Sequence, residues 1–124
     1  MDTALFLHDL TDRTPHKFHM AFPYGYNTSS PKAAGILCSC KKEPYYSLGI
    51  ALVDTPAGNT VRAYNAEKTL CEILKPISHT DIQIITDAFK RYAGRKDKNI
   101  PLLSEYAHQL RVEKRLRPYL EVLL

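Results

Sequence analysis

Apolar residues recur with period two through the first half of this chain and with period 3.6 through the second, which predicts strands giving way to helices. The change falls inside Val61–Leu74. Thr60, Arg62 and Tyr64 alternate with Val61 and Ala63, as neighbours on a strand do. From Asn65 onward, Ala66, Leu70, Ile73 and Leu74 lie on one helical stripe. Asn65 suits an N-cap, because its side-chain oxygen can accept a free N–H of the first turn. Glu67 falls in that turn, where the helix dipole favours negative charge. Arg62, Asn65, Glu67 and Thr69 mark this handover as a structural motif, and Arg62 and Glu67 are placed to reach each other or a neighbour across it. Such an exposed pair would contribute only ~0–1 kcal/mol.

Upstream, a helix is predicted from Asp2 to Leu10, capped by Asp2 or Thr3, with turn chemistry from Leu10 to Pro15. Lys17 to Phe22 alternates, with Phe18, Met20 and Phe22 on one side, and predicts a half-buried strand. Pro23 to Pro31 reads as a loop exposing Tyr24 and Tyr26. Ile36 to Lys41 is a second strand, with Cys38 and Cys40 on the same side. The apolar run Ile50–Val53 predicts a central strand covered on both faces, paired antiparallel with Thr60–Tyr64 through the Thr55–Asn59 hairpin loop.

Downstream, Lys75-Pro76 ends the first long helix. Thr80 and Gln83 form a capping box for a second, whose stripe is Ile82, Ile85, Ala88, Phe89 and Tyr92. Pro101 opens a third, striped by Leu102, Leu103, Tyr106, Ala107 and Leu110. Leu116, Tyr119, Leu120 and Leu123 stripe a fourth, in which Pro118 removes a backbone donor and predicts a kink or split near Lys114–Arg117. The expected fold class is α+β. A small, largely antiparallel sheet of three to four strands is followed by a helical half of about four helices.

At 124 residues, residues 1–124 make one domain with one core. Composition, 44% hydrophobic and 24% charged, is that of a globular protein, and no apolar run approaches a membrane span. With no signal-peptide pattern and three cysteines, two of them as Cys38-Ser39-Cys40, a reducing cytoplasm is expected.

Charge changes the picture. The net charge is +4, but Lys90–Arg117 holds nine cations and three acids, a local +6 that leaves −2 for the remainder. Lys90, Arg91, Arg95, Lys96, Lys98, Arg111, Lys114 and Arg115 form a candidate basic face for an anionic partner, DNA, RNA or an acidic protein. The alternative is a solvated helix surface. Tyr92, Tyr106 and Tyr119 fall on the apolar stripes and read as core, and no recognition-helix signature stands out.

Catalytic chemistry finds little support. His16 and His19 with Cys38 and Cys40 match zinc spacing poorly, and free cysteines are commonly small hydrophobes. Cys71 lies mid-helix without an orienting histidine. Asp54 stands at a strand end without the Glu-x-Lys of a metal-dependent nuclease, and no Gly-rich phosphate loop is present. No catalytic residue, cofactor or metal ligand is assigned.

Several blocks resemble the effector domain of the AbiEi-type antitoxin family of abortive-infection, or type IV, toxin–antitoxin systems. They are Thr3–Pro15, Pro23–Asn27, Thr55–Tyr64, Glu67–Leu74, Lys90–Asn99 and Tyr119–Leu124, and Glu67–Leu74 with the closing block is the most specific. Family members usually carry an N-terminal winged-helix DNA-binding domain, which is missing here, and Pro118 is unusual for the family. The resemblance implies a non-enzymatic antitoxin that counteracts a cognate nucleotidyltransferase-like toxin, serves phage defence and acts as a transcriptional regulator. Stable contact with the toxin is not required, and a homo-oligomer is compatible with this reading. The alternatives from the residues themselves are a stand-alone nucleic-acid-binding regulatory protein and a small metal-dependent nuclease.

Overall fold

The computed structural model describes residues 2–15 and 17–123. In chain order the elements are α1 (Asp2–Leu7), β1 (His19–Pro23), α2 (Ser29–Ala33), β2 (Leu37–Lys41), β3 (Ile50–Asp54) and β4 (Thr60–Tyr64). Then follow α3 (Ala66–Ile73), a 3-10 turn (Pro76–Ser78), α4 (Ile82–Ala93), α5 (Ile100–Gln109) and α6 (Glu113–Leu123). The strands lie in the N-terminal half, and the longer helices follow them.

The strands do not form one sheet. They make two ribbons of two strands each: β1 with β2, parallel, and β3 with β4, antiparallel. The expected single, largely antiparallel sheet is corrected on both counts. A parallel pair needs a crossover of a dozen or so residues, usually helical. The stretch expected as a loop supplies it, because α2 sits between β1 and β2. Residues 42–49 run as turns between β2 and β3, and the carbonyls of Tyr45 and Leu48 are taken by Lys68 of α3, at 2.8 and 3.0 Å. That segment docks on a helix instead of extending a ladder.

The strand pattern is right in period but not in its consequence. Phe18 and Met20 are 67% and 46% exposed, and Leu52 of the supposed central strand is 75% exposed. Thr3, Leu7, Phe18, Met20, Val61 and Arg62 are among the residues lining a cleft of about 450 Å³ between α1, β1 and the β3–β4 ribbon. The apolar residues there face a cleft and not a second layer.

The core belongs to α3. Every residue from Ala66 to Ile73 is buried, so this helix has no solvated face. It packs against α1, α4 and α5, while α6 packs on α4 and α5. Leu5, Leu10, Leu70, Cys71, Ile73, Phe89, Tyr92, Leu103, Ala107 and Leu116 form the apolar interior. Tyr119 stacks on Phe89 with ring centroids 4.4 Å apart. The Leu123 side chain lies outside the described residues.

Three helix boundaries differ from expectation: α1 ends at Leu7, short of the expected Leu10, and two more lie downstream. Asp81, not Thr80, caps α4, accepting from Gln83 N–H at 2.7 Å, while Thr80 bonds Ser78. Ile82 consequently falls in the first turn facing outward, 64% exposed. At the C-terminus α6 runs unbroken from Glu113 through Pro118 to Leu123, so no split occurs at Lys114–Arg117. Pro118 removes one intrahelical donor, to the carbonyl of Lys114. Buried Leu116 and the Tyr119–Phe89 stack hold the helix on both sides of it.

Candidate functional site

The strand-to-helix junction builds a polar hub around α3. Asn65 adopts an extended backbone (φ −66°, ψ 172°), and its Oδ1 accepts the Lys68 N–H at 2.8 Å. Its N–H donates to the Gly49 carbonyl at 2.7 Å. Its amide Nδ2 donates to the Tyr106 hydroxyl at 3.2 Å, and its carbonyl accepts the Thr69 hydroxyl at 2.9 Å. One residue thereby fixes the end of β4, the start of α3 and the face of α5.

Glu67 turns inward to Tyr92, whose hydroxyl donates to it at 2.5 Å and accepts the Asn99 N–H at 2.7 Å. Burial, followed by the Glu67 bond, pushes the Tyr92 phenol well above its ordinary range. Arg62 instead stands exposed at the cleft, so the expected Arg62–Glu67 pair does not form. A first-turn carboxylate facing three helices finds a buried phenol; a strand residue on the outer ribbon cannot follow it inward.

Lys68 and Glu72 are the most deeply buried charges of α3, 0% and 1% exposed. The Lys68 ammonium lies 3.6 Å from Glu72 Oε1 and 3.9 Å over the Tyr64 ring, besides holding the Tyr45 and Leu48 carbonyls. Burial lowers its pKa to about 8; Glu72 opposes that shift, and Lys41 and Lys75 add to it. Lys41 donates to Glu72 Oε2 at 2.9 Å, and Lys75 lies 3.5 Å from Oε1. Burial would raise the Glu72 carboxyl, but the Lys41 hydrogen bond and the charges of Lys41, Lys75 and Lys68 outweigh it and hold it below its ordinary value. Beside these charges the Tyr64 phenol is raised, by burial first and Glu72 second, and donates to the Tyr46 carbonyl at 2.8 Å.

The basic residues fall into two local groups. Lys90 and Arg91 end α4, and Arg95, Lys96 and Lys98 follow it; Arg111, Lys114 and Arg115 surround the α5–α6 turn. Three of the eight are committed internally. Arg91 pairs with Asp87 at 2.9 Å. Arg95 forks onto Asp97 with two bonds of 2.8 Å and donates to the His8 carbonyl at 3.0 Å. Lys98 caps the α4 C-terminus through the Ala93 carbonyl at 2.8 Å. Lys90, Lys96, Arg111, Lys114 and Arg115 are exposed, and their side chains make no ion pair among the described residues. Arg111 has a left-handed backbone (φ 59°), the reversal that ends α5.

Three of the four metal candidates lie among the described residues. His19 Nε2 bonds the Ser39 hydroxyl at 2.5 Å, Cys38 is half-buried and Cys40 exposed, and His16 lies outside the described residues. Among the described residues no three His, Cys, Asp or Glu side chains gather to hold a metal. Cys71 is buried against the Leu103 carbonyl, and burial pushes its thiol up to about 12, away from the thiolate a nucleophile needs.

Sequence reasoning recognised Asn65 and Glu67 but passed over Lys68, Glu72, Lys41 and Lys75, because polar residues opposite an apolar stripe read as solvated. One signal was available. A helix placed between a strand-rich half and three further helices has few directions left open to water. Lys68 and Glu72, at i and i+4, are then a buried pair by position.

Fold and site together define a small mixed domain of strands and helices, organised on one wholly buried helix with a charged hub at its strand side. No protein-family model matches the chain, and no curated protein matches it.

Proposed function

We propose that the chain is a cytoplasmic, non-catalytic effector domain of the AbiEi-antitoxin type, antagonising a nucleotidyltransferase-like toxin by binding. The observation that carries this reading is the location of Glu67–Leu74, its most specific block. That segment is the buried spine of the domain. Asn65, Glu67 and Lys68 bond neighbouring elements, and Glu72 is bonded by Lys41. A motif used this way defines a scaffold rather than a reaction centre. The groups left to a partner are surface ones, above all Lys90, Lys96, Arg111, Lys114 and Arg115.

Replacing Lys90, Lys96, Lys114 and Arg115 together by Glu tests the reading, because none of the four makes an ion pair among the described residues. On co-expression with a cognate toxin, the folded variant is expected to lose rescue of growth. Full rescue would remove these cations from the mechanism. The exposed cations also favour a second reading, a stand-alone nucleic-acid-binding protein. Its mark is binding to duplex DNA or RNA that weakens steeply with salt.

A further inference from the structure

The hub does not neutralise itself. Lys41, Lys68 and Lys75 place three ammonium groups within 3.6 Å of one carboxylate, that of Glu72, leaving a local charge of +2. Lys68 is sealed inside, but the side chains of Lys41 and Lys75 remain 14% and 25% exposed, so the excess charge emerges at a rim. Glu72, at 1%, lies behind them. Its Oε1 is a buried oxygen with no hydrogen-bond partner among the described residues. A second anion approaching from solvent meets the two amines first.

An aromatic ring accompanies this rim. Lys75 Nζ lies 6.0 Å from the Tyr45 ring centroid, and Tyr45 is 38% exposed. Two cations beside an exposed ring, near the carboxyl end of a parallel strand pair, suit a phosphate attached to a planar base. The amines attract the phosphate charge, and a ring gives the base a stacking surface. An acidic peptide would use the amines and leave the ring idle.

We propose that the Lys41–Lys75 rim, with Tyr45 beside it, binds the phosphate and base of a nucleotide unit. The unit is carried by a free nucleotide or by single-stranded RNA. This surface is separate from the cations of α4–α6, and the proposal does not depend on the antitoxin reading.

Fluorescence anisotropy on the full chain with labelled oligoadenylate and with labelled ATP tests it. Binding is expected to weaken with salt. Lys75→Gln is expected to lower affinity about tenfold. Tyr45→Ala is expected to lower it at least about fivefold, with Tyr45→Phe close to the original. Neither side chain belongs to the buried core, and the Tyr45 carbonyl that Lys68 uses is backbone, so circular dichroism should be unchanged. Tighter binding of oligoadenylate than of ATP assigns the site to an RNA strand; equal affinities assign it to a free nucleotide. Absence of binding to both probes at ~50 mM salt would overturn the proposal. So would affinities that survive both Lys75→Gln and Tyr45→Ala but vanish in the fourfold Glu variant of α4–α6.

Discussion

Among single residues, Lys68 shows how one side chain can be both a strut and a liability. A charged ammonium at 0% exposure loses its hydration, and two carbonyls, a carboxylate and a ring replace it. The replacement is incomplete, because the pKa falls from 10.5 to about 8. The folded state therefore holds this proton less tightly than the unfolded chain. Between pH 8 and 10.5 unfolding takes up a proton at Lys68, so its contribution to stability rises with pH through that window and is flat on either side. Cys71, pushed up to about 12, acts in the opposite sense above pH 9, as do the raised tyrosines at higher pH. The clean observable is thus the stability difference between the protein and Lys68→Met at pH values up to 9, below the range in which those groups lose protons. Urea melts should show that difference growing in favour of the original protein as pH rises past 8. A pH-independent difference would show that Lys68 titrates normally.

For whole elements, the longer helices were legible in the sequence; the short crossover helix α2 and the sheet arrangement were not. Period 3.6 reports burial along one element, and Ile85, Ala88, Phe89 and Tyr92 lie on the stripe it predicts. Period two reports only that side chains alternate. It carries no information on which strand pairs with which, so nothing in Lys17–Phe22 distinguishes a parallel ribbon with α2 as crossover from an antiparallel sheet. Gly49 makes the joint between the two halves, and it too is invisible to periodicity. Its φ is +80°, and a Cβ there would lie 2.7 Å from Lys68 Cβ and 3.3 Å from Asn65 Oδ1. Gly49→Ala combines a left-handed backbone with overpacking against the cap of α3, and is expected to cost about 2–4 kcal/mol in a thermal or urea melt. Pro118 is the contrary case. Its conformation is helical and its missing donor is a loss, so Pro118→Ala should stabilise the domain by about 1–3 kcal/mol. An unchanged melt would mean that α6 contributes little to the cooperative unit.

Across the whole molecule, the two ribbons are stabilised mainly by what ties them to the helices. Three β4 residues and two β1 residues are exposed, and neither strand has a fully buried side chain. The ties are few and polar. His19 N–H reaches Thr3 Oγ1 at 3.0 Å, and His8 Nε2 reaches the Tyr64 carbonyl at 2.6 Å. Asn65 holds Gly49, Lys41 holds Glu72, and Lys68 holds the 45–48 turn. The helical half has its own interior in Leu70, Phe89, Tyr92, Leu103 and Leu116, which does not depend on those bonds. Local opening follows the elements with the fewest buried apolar contacts. Native-state hydrogen exchange should therefore find two levels of protection, with α3, α4 and α5 high and β1–β4 lower. Lys68→Met should widen the gap, because it removes the donor to Tyr45 and Leu48 and leaves Glu72 to Lys41 and Lys75. Amides of β3, β4 and residues 45–49 should exchange faster, while those of α4 and α5 keep their rates. Equal acceleration in every element would mean that the ribbons and helices open as one unit, and that the hub is a core contact like any other rather than the clasp between two halves.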